Sequence, residues 1–100
     1  MTQVRFTSQA REDLLEIWVY VTTHSSETIA DRVYDAIERS CRRLSDHPQV
    51  GRVRPEIHQQ ARSLVVERWL VLYRAVEDGV EIVRIIDGAR DLTAIDWAHD

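Results

Sequence analysis

The chain contains no lysine, one cysteine (Cys41), three glycines and two prolines in 100 residues. Each scarcity excludes something. Without lysine there is no side-chain amine to accept a proton or form a Schiff base. The thirteen basic residues are all arginine, which clamps anions but stays protonated at any physiological pH. A single cysteine rules out an internal disulfide. Few glycines and prolines, with no repeat or biased run, exclude a linker-rich or low-complexity chain. No apolar stretch is long enough to span a bilayer, and the opening MTQVRFTSQ has no apolar signal core. The expectation is a soluble, cytoplasmic protein with a single domain over residues 1–100 and one modest core.

What is present is 44% hydrophobic and 30% charged, the balance of an ordinary globular protein, with a formal net charge of −4. The charge is segregated. Six arginines face eight acids over residues 1–46, five face two over 47–75, and two face seven over 76–100. A basic middle on an acidic chain points to a local patch rather than general affinity for a polyanion. No sequence-specific nucleic-acid or membrane contact is expected.

Val4 and Phe6 alternate with Arg5 and Thr7, a short strand. Ser8 is a candidate N-cap for a helix to about Thr23, whose apolar face is Ala10, Leu14, Ile17, Trp18 and Val21. After the break His24-Ser25-Ser26, a second helix follows on Ala30, Val33, Ile37, Cys41 and Leu44, ending before His47-Pro48. Gln49 to Gln60 lacks an apolar period and reads as an ordered loop. Three strand patterns follow at Ser63–Glu67, Trp69–Val76 and Val80–Ile86, the last two joined across Glu77-Asp78-Gly79. Val80–Ile86 is apolar on both faces and is expected to be covered on both. Leu92, Ile95 and Trp97 suggest a short closing helix or an extended tail. The fold class is α+β, in the order β-α-α-β-β-β, with a helical hairpin packed on a small antiparallel sheet.

The runs GRVRPEI (Gly51–Ile57), RSLVVERWLVLYR (Arg62–Arg74) and DGVEIVRIIDGARD (Asp78–Asp91) resemble the ParE branch of the ParE/RelE superfamily of bacterial toxins, to about Leu92. The resemblance implies the toxin of a type II toxin–antitoxin module, neutralised by a ParD-like antitoxin encoded beside it in a hetero-oligomer. It implies non-catalytic inhibition of DNA gyrase. The other branch implies a ribosome-dependent mRNA endonuclease, and a third reading is a relative whose poisoning activity has been lost.

Chemistry separates the first two. Attack by a 2′-hydroxyl needs a proton acceptor, a proton donor and cations, and each acid–base partner is worth about a hundredfold or more. Lysine is absent and no tyrosine follows Tyr73. Asp87 stands where many relatives have histidine, which removes a general acid and adds negative charge. The non-enzymatic branch is therefore favoured, with no catalytic residue and no cofactor. The alternative catalytic set is Arg52, Arg54, Glu56, His58 and Arg62, which equally reads as a solvated loop. Arg84 within an apolar strand needs a partner, and Asp87, Asp91 or Glu67 is expected to supply it. Arg74, Arg84, Arg90 and Trp97 are the candidate target-binding residues. Tyr20, Tyr34 and Trp69 are the candidates for meeting the antitoxin. Trp18 and Cys41 read as core. His24, His47, His58 and His99 lack ligand spacing, so no metal site is expected.

Overall fold

The computed structural model describes residues 3–92, 95 and 97. The chain runs β1 (Gln3–Phe6), α1 (Ser8–His24), α2 (Glu27–Asp46), β2 (Arg52–Val53), β3 (Arg62–Val66), β4 (Trp69–Val76) and β5 (Gly79–Asp87). The α+β class and the helical hairpin agree with the sequence reading. The sheet, in the order β1-β5-β4-β3-β2, differs in two details: β1 pairs parallel with β5 while the other pairs are antiparallel, and there is a fifth strand, β2. The fifth strand lies in the segment expected to be loop. Its two residues pair only with Ser63 and Arg62, too few for any alternation to register.

The N-cap of α1 is Thr7, not Ser8. Thr7 is extended and buried, its Oγ1 accepts from Ala10 N at 3.0 Å, and its hydroxyl donates to Val83 O at 2.9 Å. Ser26 caps α2 by accepting from Ile29 N at 3.2 Å, with Glu27 favourably placed in the first turn. The turn between β3 and β4 is Glu67-Arg68, so β3 stops at Val66, one residue before the expected end. Glu67 has φ 59, unusual for a non-glycine, and its carboxylate accepts from both terminal nitrogens of Arg32 on α2 at 2.8 and 3.4 Å. Gly79 opens β5 with φ 151, and a Cβ there would run into the backbone of Gln3. Glycine is what lets β1 approach.

The helices bury one face of the sheet. Leu14, Ile17 and Val21 of α1 and Val33, Ile37, Cys41 and Leu44 of α2 pack with Val71, Tyr73, Val80, Ile82 and Ile85. Cys41 is fully buried, and burial, with Glu38 adding, pushes its thiol up to about 12, which leaves it un-ionised and inert at neutral pH. On the opposite face Leu70, Leu72 and Ile86 form a smaller cluster under Ile57, Leu92, Ile95 and Trp97. Strand β5 is thus covered on both sides, as its composition implied. Trp18 is only half-buried, and its Nε1 donates to Asp31 Oδ1 across the hairpin at 2.9 Å. That bond holds the ring at the helix–helix seam rather than in the core.

Strand β1 reaches only to Ile82 of β5, leaving the upper half of that edge without a strand. Helix α1 fills it. The backbone N–H of Thr7 donates to Ile82 O at 3.0 Å, and Asp13, 5% exposed, accepts from Ile85 N at 3.0 Å. Leu72 pairs with Arg84 while Tyr73 pairs with Ile82, so Val83 is a bulge that rephases β5. Arg84 then donates from Nε and Nη2 to the two Asp13 oxygens at 2.8 and 3.2 Å. Of the three expected partners, Asp87 and Glu67 are engaged by Arg68 and Arg32. Asp13 was not among the candidates because 71 residues separate it from Arg84.

Asp13→Ala leaves Arg84, 11% exposed in its side chain, without this carboxylate and Ile85 N–H without its acceptor. The expected cost is about 3–5 kcal/mol. Asp13→Asn keeps an acceptor for Ile85 and should lose less. Urea unfolding of the three proteins tests this, and an alanine variant as stable as the parent would refute the edge-closing role.

Candidate functional site

Three elements converge where the β3–β4 turn, the end of β5 and the middle of α1 meet. The turn carries Arg68, which donates from Nη2 to Asp87 Oδ2. Its guanidinium carbon lies 4.9 Å from the Trp69 ring centroid and 5.6 Å from that of Tyr20. Tyr20 is stacked on His24 at 4.2 Å and meets Trp69 edge-on at 6.3 Å. Asp87 also accepts from Ala89 N at 3.0 Å, while Gly88 N donates to Arg68 O at 2.9 Å and Arg90 N to Asp87 O at 3.0 Å. These bonds close the turn after β5. Arg68, Asp87 and Arg90 rim a concave site of about 330 Å³ with Tyr20, Trp69 and Glu16.

The Ala89 N–H, then the Arg68 guanidinium, hold the Asp87 carboxyl below the usual carboxylate range, and the Asp87 contact raises Arg68. Both groups therefore stay charged throughout the neutral range. Arg68 and Asp87 are 55% and 37% exposed in their side chains, so solvent screens the pair and it holds little energy. A partner carboxylate can displace Asp87 at small cost, and Arg90 makes no ion pair among the described residues. The chemistry on offer is exchangeable charge over an aromatic bed.

The loop set is spent differently. Arg54 donates from Nε to Ser63 Oγ at 2.8 Å and from Nη1 to Glu56 at 3.4 Å. Arg62 donates from one nitrogen to the carbonyls of Gln49 and Gly51 at 3.1 and 2.9 Å. His58 Nδ1 accepts from Gln60 N at 3.0 Å, and its ring stacks on Trp97 at 5.7 Å. Arg52 is exposed on β2. These side chains hold the segment against the sheet. Tyr73 finishes the fastening: Gly51 N donates to its hydroxyl at 2.8 Å, and the hydroxyl donates to Pro48 O at 2.9 Å. Burial raises the Tyr73 phenol, so it remains a donor.

The candidate target-binding residues are not brought together. Arg74 sits near the β4–β5 turn and donates to Glu81 at 2.8 Å. Arg84 is locked to Asp13 at the sheet edge. Trp97 is half-buried on the outer face, packed against Leu70, Leu72 and Ile86, rather than standing as an exposed anchor. Only Arg90 stands open at the concave site. Of the candidate antitoxin residues, Tyr20 and Tyr34 are exposed, whereas Trp69 is buried beneath Arg68. Arg68 was missed. The available signal is the pair Glu67-Arg68 immediately before Trp69, which by local pattern is the end of one strand and a gap. Among the described residues no group of acids, histidines or cysteines is placed to hold a metal, and no helix is long and apolar enough to cross a membrane. His99 lies outside the described residues.

The family model described as the ParE toxin of type II toxin–antitoxin system, parDE, matches residues 4–92. The chain is 33% identical over 94 residues to Toxin ParE3 of Caulobacter vibrioides, covering 94% of each. Among solved structures, a chain of the chromosomal ParDE TA system from P. aeruginosa superposes with a TM-score of 0.75 at 21% identity, covering 87% of this chain and 96% of that one. At that identity the likeness is one of fold.

Tyr73→Phe removes the two hydroxyl bonds to the turn before β2 and leaves Gly51 N–H and Pro48 O without them. The expected loss is about 1–3 kcal/mol. Gly51→Ala should also destabilise, because a Cβ there would collide with the Tyr73 ring. Denaturation midpoints read both, and unchanged midpoints would show that the turn is not held by Tyr73.

Proposed function

The chain belongs to the ParE toxin family of type II toxin–antitoxin systems, and from that premise we propose that it inhibits DNA gyrase by binding without catalysis. In this reading a ParD-like antitoxin encoded beside it silences it by direct contact, in a toxin–antitoxin hetero-oligomer in the cytoplasm. The observation that carries the non-catalytic reading is the engagement of the loop set. Arg54, Arg62 and His58, the residues best suited to phosphodiester cleavage, are occupied by a serine hydroxyl, two backbone carbonyls and a backbone amide. Using them on RNA would first require the loop to be unfastened.

Two exposed arginines, Arg68 and Arg90, stand instead at one concave site with Tyr20 and Trp69, Arg68 lying over both rings. Arginine and aromatic side chains at the centre of a contact carry a disproportionate share of binding energy. This end of the molecule is assigned to the target. The outer surface of the helical hairpin, with Tyr34, is assigned to the antitoxin.

The test is plasmid supercoiling by purified gyrase with the protein present, with and without the neighbouring antitoxin. Inhibition or trapped cleaved DNA is expected, reversed by the antitoxin. Arg68→Ala with Arg90→Ala should raise the concentration needed by about tenfold or more, whereas Glu56→Gln with His58→Ala should leave it unchanged. Folded protein that leaves gyrase untouched, but cuts mRNA on ribosomes in a His58-dependent way, would overturn the proposal in favour of the endonuclease reading.

A further inference from the structure

Arg68 is held less fully than the other arginines that grip an acid. Arg84 and Arg32 each address both oxygens of their carboxylates, Asp13 and Glu67. Arg68 meets Asp87 through one nitrogen and one oxygen, Nη2 to Oδ2. The other oxygen, Oδ1, accepts from the backbone N–H of Ala89 at 3.0 Å. With Oδ1 turned to that amide, Asp87 offers the guanidinium a single prong. The Ala89 N–H is also the larger of the two holds on the Asp87 charge. Asp87 therefore belongs first to the turn after β5 and only second to Arg68.

The guanidinium is nonetheless fixed in place. It lies 4.9 Å from the Trp69 centroid and 5.6 Å from that of Tyr20, and the Arg68 carbonyl accepts from Gly88 N at 2.9 Å. A planar group stacked in this way has lost freedom before a partner arrives, so less is lost on binding. The concave site is not cationic as a whole. Glu16 and Asp87 line it beside Arg68 and Arg90, while Asp13 is spent on Arg84. Net charge therefore does not draw an anion in, and a doubly charged phosphate would face both acids. A single planar carboxylate matches the N–H edge of a guanidinium through two parallel bonds. Tyr20, 42% exposed at the same site, gives apolar cover to the methylene stem of an acidic side chain.

We propose that Asp87 is a built-in competitor for Arg68, and that the protein seated at this end supplies an aspartate or glutamate side chain that takes the guanidinium from it through both oxygens. The inference rests on the reading that this end meets the target, and adds the chemistry by which the target is recognised. The exchange of one carboxylate for another is nearly neutral in charge, so it selects and orients the partner more than it tightens the contact. Removing the competitor while keeping the turn should therefore strengthen binding, the opposite of what the loss of an ordinary contact residue does.

Two end-blocked peptides, alike except for one glutamate or glutamine beside a leucine, are titrated against the full chain. The readout is the Arg68 side-chain N–H signal in nitrogen-15 NMR, identified by its loss in Arg68→Ala. The glutamate peptide should bind more tightly, and in Asp87→Asn its advantage should widen by about two- to fivefold. Asparagine keeps an oxygen for the Ala89 amide, so the turn stays closed. In Arg68→Lys the advantage should shrink, because an ammonium presents no fork. A glutamine peptide with a free C-terminal carboxylate, and inorganic phosphate, should each bind more weakly than the glutamate peptide; tighter binding of either would overturn the assignment to an acidic side chain. In the supercoiling assay Asp87→Asn should inhibit gyrase at a concentration lower than the parent's by about two- to fivefold, a gain that an Arg68→Ala background abolishes. A folded Asp87→Asn chain that is no stronger than the parent in either assay would overturn the competitor role and leave the toxin reading standing. A folded parent chain that leaves gyrase untouched would remove that reading, and the peptide titration then judges the competitor role by itself.

Discussion

The Asp13 carboxylate, set against the unpaired half of the β5 edge, is the contact on which the rest of the arrangement depends. The sheet has a parallel edge strand that stops at Phe6, and everything beyond Ile82 on that side needs a substitute partner. A helix cannot offer a ladder of backbone groups, because its own are used internally. It can offer a capping threonine and a carboxylate one and a half turns later. Thr7 and Asp13 do this, and the arginine that would otherwise be stranded in the strand becomes the counter-ion. A buried pair of this kind is stabilising only when its remaining hydrogen-bonding capacity is met, and the Ile85 amide meets it here. Once Asp13 is fixed, Tyr20 is placed two helical turns along the same face, beside Trp69 and beneath Arg68.

Absence of lysine has a structural counterpart. Arg84 addresses both oxygens of one carboxylate, Arg32 does the same for Glu67, and one Arg62 nitrogen is shared between two carbonyls. Two of these three are forked contacts that a compact ammonium on a flexible stem reproduces poorly. Arginine also stacks, as Arg68 does over Trp69 and Tyr20. The loop between the hairpin and β3 is ordered by such contacts, together with the Tyr73 hydroxyl and the packing of Ile57 on the outer cluster. This explains why a stretch without hydrophobic period still carries a short strand.

Local pattern was enough to read the helices, the β4–β5 hairpin and the double coverage of β5, because each leaves a period or a turn signal within some ten residues. The contacts that assemble the molecule leave none. Local pattern shows that Arg84 needs an acid and points to neighbours such as Asp87 and Glu67, whereas Asp13 on the first helix holds its guanidinium. Parallel pairing of β1 with β5 is equally invisible, since a four-residue strand looks alike in either direction. Glu67-Arg68 lacks the glycine or asparagine of the usual two-residue turn. The positive φ is tolerated because Glu67 is tied to α2 and Arg68 to Asp87, both non-local. The same blindness dispersed the candidate site. Arg74, Arg84, Arg90 and Trp97 look adjacent along the hairpin but lie at its turn, at the sheet edge, at the concave end and on the outer face. Tyr20 and Tyr34 were legible as positions off the apolar stripe, which required only helical geometry.

The ion pairs sort by burial, and the sorting bears on function. Asp13–Arg84 is nearly dry and structural: a partner competing for Arg84 would have to open the sheet edge first. Arg68–Asp87 has the same two charge types but sits in solvent, where the attraction is screened and replacing one carboxylate by another changes little. Binding energy at such a site comes from what a partner adds, namely desolvation of the pair and cover over Tyr20 and Trp69, rather than from the pair itself. If the chain acts as proposed, by occupying a target and being silenced by an antitoxin, contacts of this second kind, poised and cheap to exchange, are the ones it needs. They can be mounted at the end of a sheet only if contacts of the first kind hold that end rigid.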